Sequence, residues 1–136
     1  MISDNESFDQ FISDHRWAVL TTLRKVGQPV SSVVAYARDG DTLDISTPGG
    51  TFKRSSLARD PRATLCIITN QEPFNFVSVE GSTTIETDNL AEDTRKVFQN
   101  IADTGWTEPE DLAGWLEAQQ RVIIRLQPDR VYGVIR

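Results

Sequence analysis

Apolar residues recur along the chain with two periods. Between Asp4 and Asp14, Phe8, Phe11 and Ile12 fall at helical spacing, and Ser3-x-x-Glu6 has the form of a capping box. One short amphipathic helix is expected there. The pattern then changes. Trp17 to Leu23 is rich in β-formers, and Arg24 to Gln28 is a polar break containing Gly27. Pro29 opens a second strand over Val30 to Tyr36, since proline is tolerated at a strand's first position. Asp39-Gly40 predicts a tight hairpin, and Thr42 to Thr47 alternates apolar and polar residues as a third strand. The segment Thr47 to Ser56 breaks the sheet pattern and leads into a short helix from Phe52 to Arg59, stopped by Pro61.

Ala63 to Thr69 is the most apolar strand, expected to be central and buried on both faces. Asn70 to Pro73 reads as a turn, and Phe76 to Glu86 as a long strand with a bulge at Gly81. Two helices follow. The first is capped by Asn89 and carries Leu90, Val97, Phe98 and Ile101. The second opens on Thr107-Glu-Pro-Glu110 as a capping box, with Leu112, Trp115 and Leu116 as its buried stripe. Arg121 to Leu126 and Arg130 to Ile135 read as two final strands broken at Pro128. About six strands with short turns and few helices predict a mainly β (α+β) fold, a small closed barrel with flanking helices. A barrel of that size fills its interior with side chains, so a bound molecule must sit outside, where two barrels meet.

Composition narrows the function. The 136 residues make a single domain spanning positions 1–136. One cysteine, Cys66, excludes an internal disulfide framework and a cysteine-based metal site, and one histidine, His15, makes a histidine-centred triad improbable. No metal is expected. A net charge of −6 argues against a nucleic-acid partner. No apolar run approaches a membrane span and the acidic start carries no signal-peptide pattern, so the expected location is cytoplasmic.

Against that acidic background, four of the 14 basic residues, Lys53, Arg54, Arg59 and Arg62, fall within ten positions. Gly49, Gly50 and Thr51 precede them. Glycines let main-chain N–H groups converge on an anion, hydroxyls add donors, a helix N-terminus adds its dipole and a lysine a full charge. This is chemistry suited to a phosphate, although neither a Walker A loop nor Gly-x-Gly-x-x-Gly is present. The alternative is an ordinary Pro-Gly-Gly turn followed by a solvated basic helix face.

The order of strand, Asp-Gly hairpin, strand, Ser46-Thr-x-x-Gly-Thr-x-Lys-x-x-x-Leu57, Asp60-Pro-Arg62 and apolar strand resembles the pyridoxamine-phosphate-oxidase-like flavin-binding split-barrel superfamily. It is most similar to the branch that uses the deazaflavin F420. Gly27-Gln-Pro29, Val77-Ser-Val-Glu-Gly81 and Pro128-Asp-Arg-Val-Tyr-Gly133 extend the resemblance from about Trp17 to the C-terminus. It implies a six-stranded split barrel working as a homodimer, with a cofactor in each of two interface grooves. Ser31, Ser32, Val33 and Val34 match the strand along the isoalloxazine ring, and Thr47, Gly50, Thr51 and Lys53 match the positions at the phosphate end. Phe76 matches a position that reaches the other subunit's cofactor. FMN oxidases usually carry arginines where Phe52 and Ser31 stand here, with Arg54 as a candidate substitute. The implied activity is an F420-dependent reductase moving hydride between F420 and a conjugated small-molecule substrate. The alternatives are an FMN-dependent oxidase or reductase, or a non-catalytic flavin or F420 binder. Lys53, Arg54, Arg59 or Arg62 would meet the extra carboxylates of the F420 tail.

Other residues carry blander readings. His15 suits a helix C-terminus, Cys66 reads as a small buried hydrophobe, and Trp115 as core. Trp106, in an interhelical loop, is a candidate contact for a partner or ligand, and Tyr36 and Tyr132 are candidate proton donors. Asp39, Asp41 and Asp44 resemble a metal cluster only superficially.

Overall fold

The computed structural model describes residues 1–136. Six antiparallel strands close into a barrel in the order β1-β2-β3-β6-β5-β4. They are β1 Trp17–Leu23, β2 Pro29–Asp39, β3 Thr42–Thr47, β4 Arg62–Ile68, β5 Phe76–Glu86 and β6 Val122–Val134. Helices α1 Glu6–Asp14, α2 Phe52–Arg59, α3 Leu90–Asn100 and α4 Leu112–Ala118 flank it. Strand alternation fills the interior with Leu20, Tyr36, Leu43, Ile45, Leu65, Ile67, Val77, Val79, Ile124 and Leu126, while Phe11 and Ile12 of α1 and Leu57 of α2 join the same core. Each such side chain contributes about 1.5–3 kcal/mol on burial.

Several expectations are corrected. β4 is not buried on both faces: Ala63, Leu65 and Ile67 point inward, whereas Thr64, Cys66 and Ile68 are half-buried on the outside. The barrel interior covers one face of β4, and no helix packs across its outer face as α3 does across β3 and β6. The two final strands are one, because β6 runs through Pro128 by way of a bulge. Glu80 pairs with Arg130 and Gly81 with Pro128, so the extra residue is Asp129 on β6, opposite the glycine. Gly81 is required there, since a Cβ would lie 2.1 Å from the Gln127 carbonyl oxygen.

Helix starts also shift. Asn5, not Ser3, caps α1 by accepting from the Phe8 N–H at 3.1 Å. Thr107–Glu110 lies outside helix, because Glu108 is drawn to Arg95 and Asp111 caps α4 through the Gly114 N–H at 3.0 Å. Asn89 precedes α3 as expected but sits in the left-handed region at φ 55° and makes no side-chain cap.

Polar clasps fix the helices to the barrel. Arg38 on β2 donates to the Asp9 carboxylate at 3.0 Å, and this bond holds the Asp9 carboxyl below the usual range. Asn100 at the end of α3 donates to the main-chain oxygens of Tyr36 at 2.8 Å and His15 at 3.2 Å. Arg125 on β6 meets Asp44 of β3 at 3.0 Å, Asp93 of α3 at 2.5 Å and Glu86 at the end of β5 at 3.5 Å. Lys96 reaches Asp39 at 3.1 Å. Carboxylate oxygens of Asp39, Asp44 and Asp93 lie within 4.8 Å of one another, with Arg125 and Lys96 supplying the compensating charge.

Candidate functional site

The elbow between β3 and α2 is built in layers. Thr47 ends β3 fully buried, and its hydroxyl meets that of Thr51 at 3.2 Å. Pro48 to Thr51 close a turn through the Thr51 N–H and the Pro48 carbonyl at 3.3 Å. Thr51 is the residue before α2, yet its side chain makes no cap to the helix. The first-turn N–H groups therefore have no side-chain partner, and Lys53 beside them is half-buried and forms no ion pair or hydrogen bond. An uncapped helix start with an unpaired ammonium is a local excess of positive charge.

The two glycines play different parts. Gly49 is pressed against the α4–β6 turn, where a Cβ would stand 2.2 Å from the Gln120 carbonyl oxygen, and its N–H bonds the Gln119 carbonyl at 3.3 Å. Gly50 has open space where a Cβ would go. Packing demands the first; the second is left facing solvent.

The basic cluster divides. Arg62 is tied to Asp60 through two hydrogen bonds of 3.1 and 2.7 Å, which pull the Asp60 carboxyl down to about 2. Arg59 donates to the Leu23 carbonyl at 3.2 Å. Arg62 is thus held by Asp60, whereas exposed Arg59 spends one N–H on a main-chain oxygen and keeps its other donors, so Lys53, Arg54 and Arg59 remain the candidates for a tail carboxylate. Arg54 turns toward a separate cavity of about 640 Å³ that it shares with Arg121, Leu116 and the start of α3. One cation absent from the sequence reading arrives instead: Arg24 lies 5.2 Å from the ring centre of Phe52, at the open end of β1. Nothing in the local sequence signals that approach, since Arg24 and Phe52 belong to different elements.

On β2 the pleat separates the four candidate ring residues. Ser31 and Val33 face outward, Ser31 bonding Thr21 at 2.9 Å and Val33 standing 66% exposed. Ser32 is half-buried and Val34 lies in the core. Only Ser31 and Val33 present side chains to a molecule outside the barrel; Ser32 and Val34 would meet it through main chain alone. Phe76 starts β5 half-buried, paired with Ile68 and Val134.

The remaining aromatics are placed. The Tyr36 hydroxyl donates to the Ile12 carbonyl at 2.6 Å inside the core, and burial pushes its phenol well above the ordinary range, which removes it as a proton donor. Trp106 stacks on Phe98 at 4.0 Å and Trp115 meets the same ring edge-on at 5.9 Å, so Trp106 is packed by its own chain. Trp17 and Tyr132 stay exposed on the outer sheet face, and Cys66 is half-buried there.

The closed six-stranded barrel with an anion-suited elbow beside its third strand is the architecture of a flavin-binding split-barrel protein. The family model described as pyridoxamine 5'-phosphate oxidase matches residues 5–135, and the chain belongs to that family. No curated protein matches the sequence. Among solved structures, one titled an F420 reductase is similar over 93% of this chain and 97% of its own, at 23% identity and a TM-score of 0.76. A conserved hypothetical protein of Mycobacterium tuberculosis covers 98% of this chain and 84% of its own, at 24% identity and a TM-score of 0.76. A FAD-binding protein of Mesorhizobium loti is 18% identical, with coverage of 96% and 94% and a TM-score of 0.71. No helix is long and apolar enough to cross a membrane.

Proposed function

We propose that the chain is a homodimeric oxidoreductase that binds a flavin-type cofactor, the deazaflavin F420 in preference to FMN. The observation that carries this reading is the uncapped start of α2 beside the unpaired Lys53. Gly50, Thr51 and Lys53 would hold the phosphate, with buried Thr47 positioning the Thr51 hydroxyl, and Ser31 with Val33 would supply one wall for the ring. When bound, the cofactor supplies two-electron hydride chemistry, and the chain supplies position, orientation and exclusion of water. Phe52 and Ser31, in the places where FMN oxidases of the superfamily usually carry arginine, favour F420.

The dimer reading rests on the outer face of β1, β2, β4, β5 and β6. The registers align Val33, Val19, Cys66, Ser78 and Tyr132 in one cross-strand row, and join Ile68, Phe76 and Val134 in the next. Tyr132, Val134 and Trp17 are 42%, 41% and 37% exposed, an apolar surface of the kind that marks an interface. A second copy seated there would bring its Phe76 toward the groove along β2. Sedimentation should give a dimer; a strict monomer that still binds cofactor would remove the interface groove from the account.

The decisive test is a fluorescence titration with F420 and FMN. The wild-type chain should bind F420 more tightly, and Lys53→Ala should weaken that binding by about 1.5–3 kcal/mol, the worth of a hydrogen bond to a charged group, without loss of fold. Tighter binding of FMN overturns the cofactor choice. No binding of either overturns the function.

A further inference from the structure

A second cavity of about 590 Å³ opens at the Trp17 end of the barrel, within the ~300–1,000 Å³ range of small-molecule sites. Its apolar wall is Trp17, Val33 and Ile68, all on outward positions of neighbouring strands. Its polar wall includes His15, Arg16 and Asn70. The elbow lies at the opposite end of β1, where Arg24 covers Phe52. Ser31 and Val33 run between the two, so anion elbow, ring wall and cavity follow one another along β2. With ~3.3 Å of rise per residue, Pro29 and Val33 are about 13 Å apart.

The single imidazole of the chain is held in a defined state. A carbonyl oxygen can only accept, so the 2.8 Å contact between His15 Nδ1 and the Phe11 oxygen places a proton on Nδ1. The ring is stacked on Phe11 at 3.8 Å, and Asn100 fixes its main chain. Nε2 is the ring nitrogen left free of that bond. Charge on the cavity wall is selective. Arg16 is paired with Asp103, and Asp14 offsets the charge on His15 when Nε2 carries a proton, so the donor-ready wall is balanced. A balanced wall offers a charged guest no free counter-charge and suits an uncharged one.

We propose that this cavity is the substrate pocket, that it takes an uncharged, planar, conjugated carbonyl compound, and that His15 is its proton donor. The proposal rests on the cofactor reading given above. A bound, reduced cofactor would supply the hydride for a new C–H bond at the β-carbon of the substrate. The C=C electron pair shifts toward the carbonyl, and the resulting enolate takes the proton from Nε2. The substrate gains two electrons and two hydrogens in total. A bound cofactor would supply the hydride and a second proton, which would pass to water, and water would return one to the His15 imidazole. Imidazole is the side chain best suited to this exchange near neutral pH.

Because the chain has one histidine, the His15 Hε1 resonance is an unambiguous NMR reporter. Titration with 2-acetylnaphthalene should shift it, and 2-naphthoate, the anionic counterpart of similar shape, should leave it in place. In cofactor-loaded protein reducing menadione, His15→Gln should lower kcat by about 100-fold, with KM and cofactor affinity unchanged. If cofactor binds but the resonance ignores acetylnaphthalene, or His15→Gln keeps kcat, the inference falls and the cofactor reading stands. If neither F420 nor FMN binds, the proton-donor role falls with the cofactor reading, and the resonance alone decides the pocket.

Discussion

Replacing Arg125 by methionine should cost about 3–5 kcal/mol of stability at pH 7, the scale of breaking a buried ion pair from one side. Asp44 has no exposed surface, and one of its carboxylate oxygens already lacks a hydrogen-bond partner. Its other oxygen depends on Arg125 Nε. Asp93 of α3 depends on the same guanidinium at 2.5 Å. Loss of that group leaves a buried carboxylate uncompensated and detaches α3 from β3 and β6 together. Urea unfolding measures the cost, and a double-mutant cycle separates its parts. In an Asp44→Leu background, where no charge is left to strand, Arg125→Met should cost much less. Equal costs in both backgrounds would place the stabilising role of Arg125 elsewhere.

This network was not legible in the sequence, whereas most of the barrel was. Strand bounds follow from local alternation, and the β2–β3 hairpin from Asp39-Gly40, with Gly40 at φ +62°. The bulge was foreseen at Gly81, but its extra residue is on the partner strand, because Pro128 and Asp129 disturb β6 rather than β5. Asp44 and Arg125 are 81 positions apart and meet only because barrel closure pairs β3 with β6. The capping error at Thr107 has the same origin: Glu108 finds Arg95 on another helix, a partner that spacing cannot indicate.

The candidate site divides along the same line. The elbow is a contiguous stretch of glycine, hydroxyl and ammonium groups and could be read directly. The division of its cations could be read only in part. The tie between Asp60 and Arg62 is local, two residues apart, and was within reach of the sequence. The approach of Arg24 to Phe52, and the union of His15, Trp17 and Val33 around one cavity, depend on how β1 and β2 lie against the helices. Nearest-neighbour patterning holds no record of either.

The buried carboxylate of Asp44 also sets the response to pH. Burial, opposed by Arg125 and reinforced by the nearby Asp93 and Asp39 charges, pushes it up to about 6, from 3.8 in an unfolded chain. The folded state thus holds this proton more tightly than the unfolded state. Its contribution to stability is complete below pH 3.8 and is lost as pH rises toward about 6. At 1.36 kcal/mol per unit, the loss is about 3 kcal/mol. Asp9 and Asp39 work in the opposite sense, because hydrogen bonds from Arg38 and Lys96 hold them low, and their contribution disappears on acidification. Asp44→Asn mimics the protonated form: its amide oxygen can still accept from Arg125 and its N–H groups can donate toward Asp39. Relative to wild type, the variant should therefore gain stability as pH rises from 4 to about 6 and level off by pH 7, by about 2–3 kcal/mol in all. Urea unfolding of both proteins at several pH values reads this directly. A difference that stays flat over the interval would mean that Asp44 titrates as an ordinary surface carboxylate, and that the cluster on β3 is balanced without a held proton.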